Sequence, residues 1–322
     1  MLRKIILATA ILAPLSAPAL SADTINFGII ATDSSSNLKK IWLPLLNDME
    51  KQTGYSVKPF FASDYAGVIE GMRFKKVDIA WFGNKSAMEA VDRASGEVFA
   101  QNIGAGGAPG YWSHIIVHKD SPFKKLEDVL KCDKTLNFGI GDPNSTSGYL
   151  VPTTFIFAAR NIDPAQCYKT VRGANHAANA LSVANKLVDV ATNNNESLER
   201  LQVNNPTARA KIRIIWKSPL IASDPLVWRK DLDAGAKAKL SAFLYGYGKN
   251  AEERKVLAGM KLEKFVKSTD NQLLPIRQMA VNKDIMKIKA DKKLSEADRK
   301  TKLDALQKKA AAIASKMATA TN

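Results

Sequence analysis

Gly141-Asp142-Pro143-Asn144-Ser145-Thr146-Ser147-Gly148 joins two runs of different length and period. Residues 136–140 before it form a short apolar run of strand length, and residues 149–159 after it form an apolar run of helix length. The order is strand, tight turn, helix N-terminus, the recurring joint of an α/β fold. First-turn amides of a helix have no internal partner, and the aligned peptide dipoles leave partial positive charge there. Ser145, Thr146 and Ser147 add three hydroxyls to those amides, a combination suited to a tetrahedral oxyanion. Asn144 or Ser145 serving only as a helix cap is the plainer alternative.

The same alternation runs outward in both directions. Upstream, residues 25–30 read as a strand, 38–52 as a helix ended by Gly54, 55–61 as a strand, 65–74 as a helix, 77–82 as a strand, 85–94 as a helix and 98–103 as a strand. The turn-rich break Gly104-Ala105-Gly106-Gly107-Ala108-Pro109-Gly110 follows, and the pattern restarts. Strands are expected at 111–118, 136–140, 167–172, 188–191 and 212–216, with helices at 146–160 and 175–187. This pattern predicts βαβ units on mainly parallel sheets. It also predicts two α/β lobes, with the chain crossing between them at about 105–115 and again at 217–228, hence a hinged cleft. Ligands of open α/β sheets sit beyond the carboxyl ends of the strands. Four loops at such places carry unusual chemistry: Asp64-Tyr65, Gly83-Asn84, Asn144 to Ser147, and Asn193-Asn194-Asn195-Glu196.

The first residues, Met1-Leu2-Arg3-Lys4, precede an apolar run interrupted by Pro14 and Pro18 and closed by Ser21-Ala22. A basic start, a short apolar core and small residues at its end read as a cleavable signal peptide, residues 1–22, rather than a membrane anchor. Export places the two cysteines, Cys132 and Cys167, in an oxidising compartment, where one disulfide or two buried thiols are the open readings. The formal net charge of +16 raises nucleic acid as a partner. No nucleic-acid motif accompanies the charge, and a solvated basic face is the better account. Part of the excess is local: from Lys283 onward eleven Lys/Arg stand against five Asp/Glu. There Leu303, Leu306, Ala310, Ile313 and Met317 repeat at spacings of three and four, behind a capping-box-like Ser295-Glu296-Ala297-Asp298. Such a striped helix either packs back on its own lobe or pairs with a second copy as a homodimer.

Several separated segments together resemble the periplasmic phosphonate-binding proteins that feed ABC importers. They are Phe61-Ala62-Ser63-Asp64-Tyr65-Ala66-Gly67, Asp78-Ile79-Ala80-Trp81-Phe82-Gly83-Asn84, Pro109-Gly110-Tyr111-Trp112-Ser113, Gly141 to Gly148, Val190-Ala191-Thr192-Asn193-Asn194 and Trp216-Lys217-Ser218-Pro219-Leu220-Ile221. The resemblance implies a two-lobed periplasmic binding fold of type II, two α/β domains joined by two crossing strands, plus a C-terminal helical tail. Lobe 1 would hold residues 23–112 and 225–282, lobe 2 residues 113–224, and the extension residues 283–322. It further implies that Tyr65, Tyr111, Ser145, Thr146, Ser147 and His176 hold a phosphonate, and that Glu196 and Asp224 hold the ammonium of 2-aminoethylphosphonate. Trp81 would form part of the cleft wall. The expected partners are the small phosphonate and a permease in the inner membrane. No metal or other cofactor is implied.

The chemistry of those residue types agrees with that assignment. A phosphonate offers three acceptor oxygens, which suit hydroxyls, helix amides and an imidazole. A primary ammonium offers three donors to two carboxylates. A binder of phosphate, phosphite or a simple alkylphosphonate is the nearest rival, and it would leave both acids unpaired. An exported phosphonate-processing enzyme would need a metal cluster, a nucleophile with its base, or a cofactor lysine; no HExxH, GxSxG or P-loop occurs. Docking of the closed form on a signalling receptor is a third reading.

Overall fold

The computed structural model describes residues 23–320, so the signal-peptide reading of residues 1–22 lies outside the described residues. Along the chain, β1 (Thr24–Ile29), β2 (Ser56–Phe61), β3 (Ile79–Trp81) and β4 (Gly96–Gly104) alternate with α1 (Ser35–Thr53), α2 (Tyr65–Arg73) and α3 (Asn84–Arg93). The first crossing carries β5 (Gly110–Tyr111) and leads into β6 (Ser113–His118). The second α/β run is β7 (Asn137–Ile140), a helical stretch over residues 146–160, α4 (Pro164–Cys167), β8 (Thr170–Gly173), α5 (His176–Ala184), β9 (Val190–Asn194), α6 (Asn195–Asn204), α7 (Pro206–Arg209) and β10 (Ile212–Lys217). The return crossing carries β11 (Ile221–Ala222), followed by β12 (Pro225–Arg229), α8 (Ala234–Gly246), α9 (Ala251–Gly259) and β13 (Leu262–Lys267). Two helices close the chain, α10 (Leu274–Ala290) and α11 (Glu296–Ala320).

Two sheets result, in the orders β13-β4-β12-β3-β1-β2 and β10-β6-β9-β7-β8. They are mixed rather than mainly parallel: β12 and β13 oppose β1–β4, and β6 opposes β7–β10. The crossings explain the reversal of β6 and β12. Each of these strands enters its sheet directly from a crossing, at the edge where the parallel strands end, and so must run the other way. The crossings themselves pair as a short antiparallel ribbon, Ile221 opposite Tyr111 and Ala222 opposite Gly110. A Cβ at position 110 would run into the Ile221 carbonyl, so the ribbon closes only around a glycine.

Local signals account for the element ends. Ser34 caps α1 by accepting from the Asn37 amide at 3.2 Å, and Gly54 ends it in the left-handed conformation with φ 77°. Leu38, Trp42, Leu45, Leu46 and Met49 form the buried stripe of that helix. In β6, Ile115 and Val117 pack in one core and Ile116 in another, because successive side chains take opposite faces of a sheet covered on both sides.

Three local expectations are corrected. The strand foreseen over residues 167–172 begins only at Thr170, because Asp163 and Pro164 start a helical turn through Cys167. The strand foreseen over 111–118 is divided at Trp112 into β5 and β6. The helix over 146–160 is present but wide, with π-type turns at Thr146–Leu150 and Thr153–Phe157. Cys132 and Cys167 are joined by a disulfide across a sequence separation of 35. The α11 stripe is met within the chain, where Leu306, Ala310, Ile313 and Met317 pack with Leu274, Val281 and Ile285 of α10.

The disulfide ties the segment before β7 to α4 and holds no residue of the cleft described below. Replacing both cysteines by serine is expected to lower the unfolding free energy by about 3–4 kcal/mol, the loop-entropy scale for such a ring. Urea titration reads that loss, while ligand affinity measured by calorimetry should stay unchanged.

Candidate functional site at the lobe interface

Between the sheets lies a small cavity. All eight residues expected to hold ligand line it: Tyr65, Tyr111, Ser145, Thr146, Ser147, His176, Glu196 and Asp224. Trp81 lines it as well, and so do four residues to which sequence reasoning gave no individual role, Ile30, Thr32, Arg200 and Asn194, the last named there only within the loop 193–196. Signals for two of these were present. Asn194 is the cap of α6, and Arg200 stands four residues after Glu196, one helical turn further along the same face.

Helix starts build the site. Tyr65 is the first residue of α2, Thr146 of the 146–160 stretch and His176 of α5, while Glu196 is the second of α6. Each start has its side-chain cap. Asp64 accepts from Gly67 N at 2.8 Å, Ser145 from Gly148 N at 3.0 Å, Asn175 from Ala178 N at 2.8 Å and Asn194 from Ser197 N at 2.7 Å. Of the two readings offered for residues 141–148 the cap holds at Ser145, which also lines the cavity. The turn closes by Gly141 N donating to the Gly148 carbonyl at 3.0 Å. A Cβ on Gly141 would lie 2.6 Å from the Gly148 Cα, so the turn accepts no side chain there.

Hydrogen bonds hold the polar side chains in place. Asn194 Nδ2 donates to Ser147 Oγ at 3.0 Å and stands 3.4 Å from His176 Nε2. Ser145 Oγ lies 3.3 Å from the same imidazole nitrogen, and Ser113 and Thr192 bind the Ser147 and Gly148 carbonyls at 2.6 and 2.8 Å. Burial first, and the charge of Arg200 second, lower the His176 pKa to about 3, so the imidazole is neutral near pH 7. Burial raises the Tyr65 and Tyr111 phenols, which keep their protons and can donate. Buried atoms without a hydrogen-bond partner include Thr32 Oγ1, Trp81 Nε1 and His176 Nδ1, all on residues that line this cavity.

The acidic end differs. Asp224, 6% exposed, accepts from the Tyr111 hydroxyl at 3.0 Å. Burial, then the nearby Glu196 charge, push its carboxyl well above the usual range. Burial also raises Glu196, against the opposing pull of Arg200. Two carboxylates, Asp224 buried and Glu196 half-buried, thus line one cavity with Arg200 as the nearby cation, an arrangement that favours a further cation. Contacts across the cleft hold the lobes together. Tyr65 N donates to Asp142 Oδ2 at 3.2 Å, Lys85 N to Thr146 Oγ1 at 2.8 Å and Ala177 N to the Thr32 carbonyl at 3.4 Å.

Residues 27–273 match the family described as the phosphonate periplasmic substrate-binding proteins of ABC transporters. The chain belongs to that family. It is 54% identical over 283 residues to the phosphonates-binding periplasmic protein of Escherichia coli K12, covering 88% of this chain and 83% of that one. A crystal structure of a binding-protein component of the ABC phosphonate transporter of Pseudomonas aeruginosa superposes with a TM-score of 0.92 at 54% identity, covering 94% of this chain and all of that one. The phosphate-import protein PhnD of Mycolicibacterium smegmatis is 32% identical over 210 residues, 62% of this chain and 64% of that protein. The family is periplasmic, and its members are binding components of importers rather than enzymes. The two-lobed fold expected from the sequence is therefore the fold of this family.

Gly141→Ala is expected to cost about 1–3 kcal/mol of stability, the range for forcing a side chain into packed space. Because the strain falls on the turn that carries Ser145 to Ser147, phosphonate affinity should drop as well. Thermal melting together with calorimetry checks both effects, and a variant that binds like the parent would show that the turn tolerates a Cβ.

Proposed function

We propose that this periplasmic component of a phosphonate importer is tuned to 2-aminoethylphosphonate. The observation that carries the reading is the pair Glu196 and Asp224 sharing one small cavity with Ser145, Thr146, Ser147 and three helix starts. The phosphonate would lie against the hydroxyls of Tyr65, Ser145, Thr146 and Ser147, the first-turn amides and neutral His176. Its ammonium would lie between Glu196 and Asp224, with Tyr111 holding the latter. An ammonium there replaces the repulsion of two buried acids by two attractions. Asp142, Thr146 and His176 approach from the second sheet, and Tyr65, Lys85 and Thr32 from the first. A ligand held by groups of both lobes would favour the closed state by its differential contacts, as any ligand-driven closure requires.

A relative that imports phosphate makes inorganic phosphate the natural competitor. Phosphate, phosphite and simple alkylphosphonates offer no cation to the two acids, which would stay buried and unpaired at a cost of several kcal/mol or else take up protons. By the same reading a cleavable leader over residues 1–22 exports the chain, and an inner-membrane permease receives the ligand from the closed form.

Glu196→Ala should weaken 2-aminoethylphosphonate by about 2–4 kcal/mol, the scale for removing one partner of a buried charge pair. The same substitution should leave ethylphosphonate equal or tighter. Calorimetry with both ligands decides, and equal losses would sink the assignment of Glu196 to the ammonium.

A pH series gives an independent check. The raised carboxyls keep their protons to higher pH than ordinary carboxyls do, and where they are protonated an incoming ammonium must displace those protons. Affinity for 2-aminoethylphosphonate should therefore climb with pH from the usual carboxylate range upward, relative to ethylphosphonate measured in parallel. Calorimetry in buffers of different ionisation enthalpy should detect proton release for the amino ligand beyond that for ethylphosphonate.

A further inference from the structure

A second cavity lies beside the first and shares Trp81, Glu196 and Arg200 with it. Its remaining wall includes Ile41 and Trp42 of α1 and Asn102 of β4. Two of these side chains are almost wholly buried yet incompletely paired. Trp81 is 6% and Asn102 5% exposed, and neither Trp81 Nε1 nor Asn102 Oδ1 has a hydrogen-bond partner. Buried polar atoms without partners are uncommon and call for an explanation. Arg200 differs in being only half-buried, but among the described residues its side chain makes no hydrogen bond or ion pair, although it lies near the charges of Glu196 and Asp224.

An unpaired guanidinium and an unpaired indole N–H offer donors only. A group with acceptor oxygens and negative charge matches both, and a planar carboxylate matches the guanidinium fork best. Position narrows the choice. Glu196, the proposed ammonium partner, lines both cavities, and Arg200 follows it by one helical turn, about 6 Å along α6. A carbon that bears an amine and a carboxylate would place its two substituents on these two side chains.

We propose that the second cavity extends the ligand site and accepts a carboxylate, so that the protein also takes aminophosphonates substituted with a carboxylate at the amine-bearing carbon. The carboxylate is seated on Arg200 and Trp81 Nε1; Asn102 Oδ1, an acceptor, is not a partner for it. This rests on the proposed placement of the ammonium at Glu196. A different role for Arg200, moderating the repulsion of the two acids, would touch every amino ligand alike.

The test is calorimetry of the full chain with ethylphosphonate, 2-aminoethylphosphonate and 2-amino-3-phosphonopropionate, for the parent, Arg200→Gln and Ile41→Trp. Arg200→Gln should weaken the carboxylated ligand at least tenfold while tightening 2-aminoethylphosphonate, from which a repelling charge is removed. Ile41→Trp, which fills the second cavity, should weaken only the carboxylated ligand. Retained ethylphosphonate binding shows that each variant is folded. Equal shifts of both amino ligands on Arg200→Gln, or a parent that binds 2-aminoethylphosphonate but not its carboxylated relative, overturn the proposal. Failure of the underlying reading has its own signature, a parent that binds 2-aminoethylphosphonate no better than ethylphosphonate.

Discussion

Helix N-terminal amides capped by the opposite lobe are the constraint on which the closed structure depends. An α-helix leaves its first N–H groups without internal acceptors, and burying them unpaired is costly. Here Tyr65 N of α2, Lys85 N of α3 and Ala177 N of α5 each find an acceptor across the cleft, in Asp142, Thr146 and Thr32. For α3 this matters most, because Gly83 at its start supplies no side-chain cap of its own. Opening the lobes would hand these three amides to water, which solvates them nearly as well. The exchange is close to balanced, so modest ligand contacts suffice to decide it.

The acids act in the opposite sense. Asp224 stands at the second crossing, just before β12, while Glu196 stands on α6 of the second lobe, so closure brings two negative groups into one dry space. Burial and mutual repulsion raise both, which penalises the closed state whenever they are ionised and unpaired. Capping contacts pull the lobes together and the carboxylates hold them apart. A dipolar ligand that neutralises the second term leaves the first unopposed.

Much of this was legible in the sequence because it rests on local signals. Gly54, Ser34, and the caps Asp64, Ser145, Asn175 and Asn194 mark helix ends by side-chain chemistry that acts within a few residues. What stayed hidden was set by tertiary geometry. The antiparallel sense of β6 and β12 follows from the route of the two crossings, which no periodicity records. The π-type widening at 146–150 and 153–157 reflects packing of an apolar stretch rather than any distinct propensity. Arg200 escaped notice because a lone arginine on a surface-like helix reads as solvated, and only the approach of Ile30, Thr32 and Trp81 from the first sheet makes it part of a cavity wall. Thr32 escaped for the same reason, being an ordinary residue after β1 until Ala177 meets its carbonyl.

The end of the cavity proposed for the phosphonate is built almost without formal charge, and that has a consequence for selectivity. His176 is neutral, the tyrosines keep their protons, and the remaining donors are hydroxyls and helix amides. A lysine or arginine placed there could pair with Glu196 or Asp224 in the absence of ligand and shut the lobes on themselves. Dipoles fixed by caps cannot swing across the cleft to do so. They also give less Coulomb attraction than an ion would. On the proposed reading the ligand brings its own cation, and selectivity against simple oxyanions then comes from the repulsive pair rather than from tighter contacts to the phosphonate.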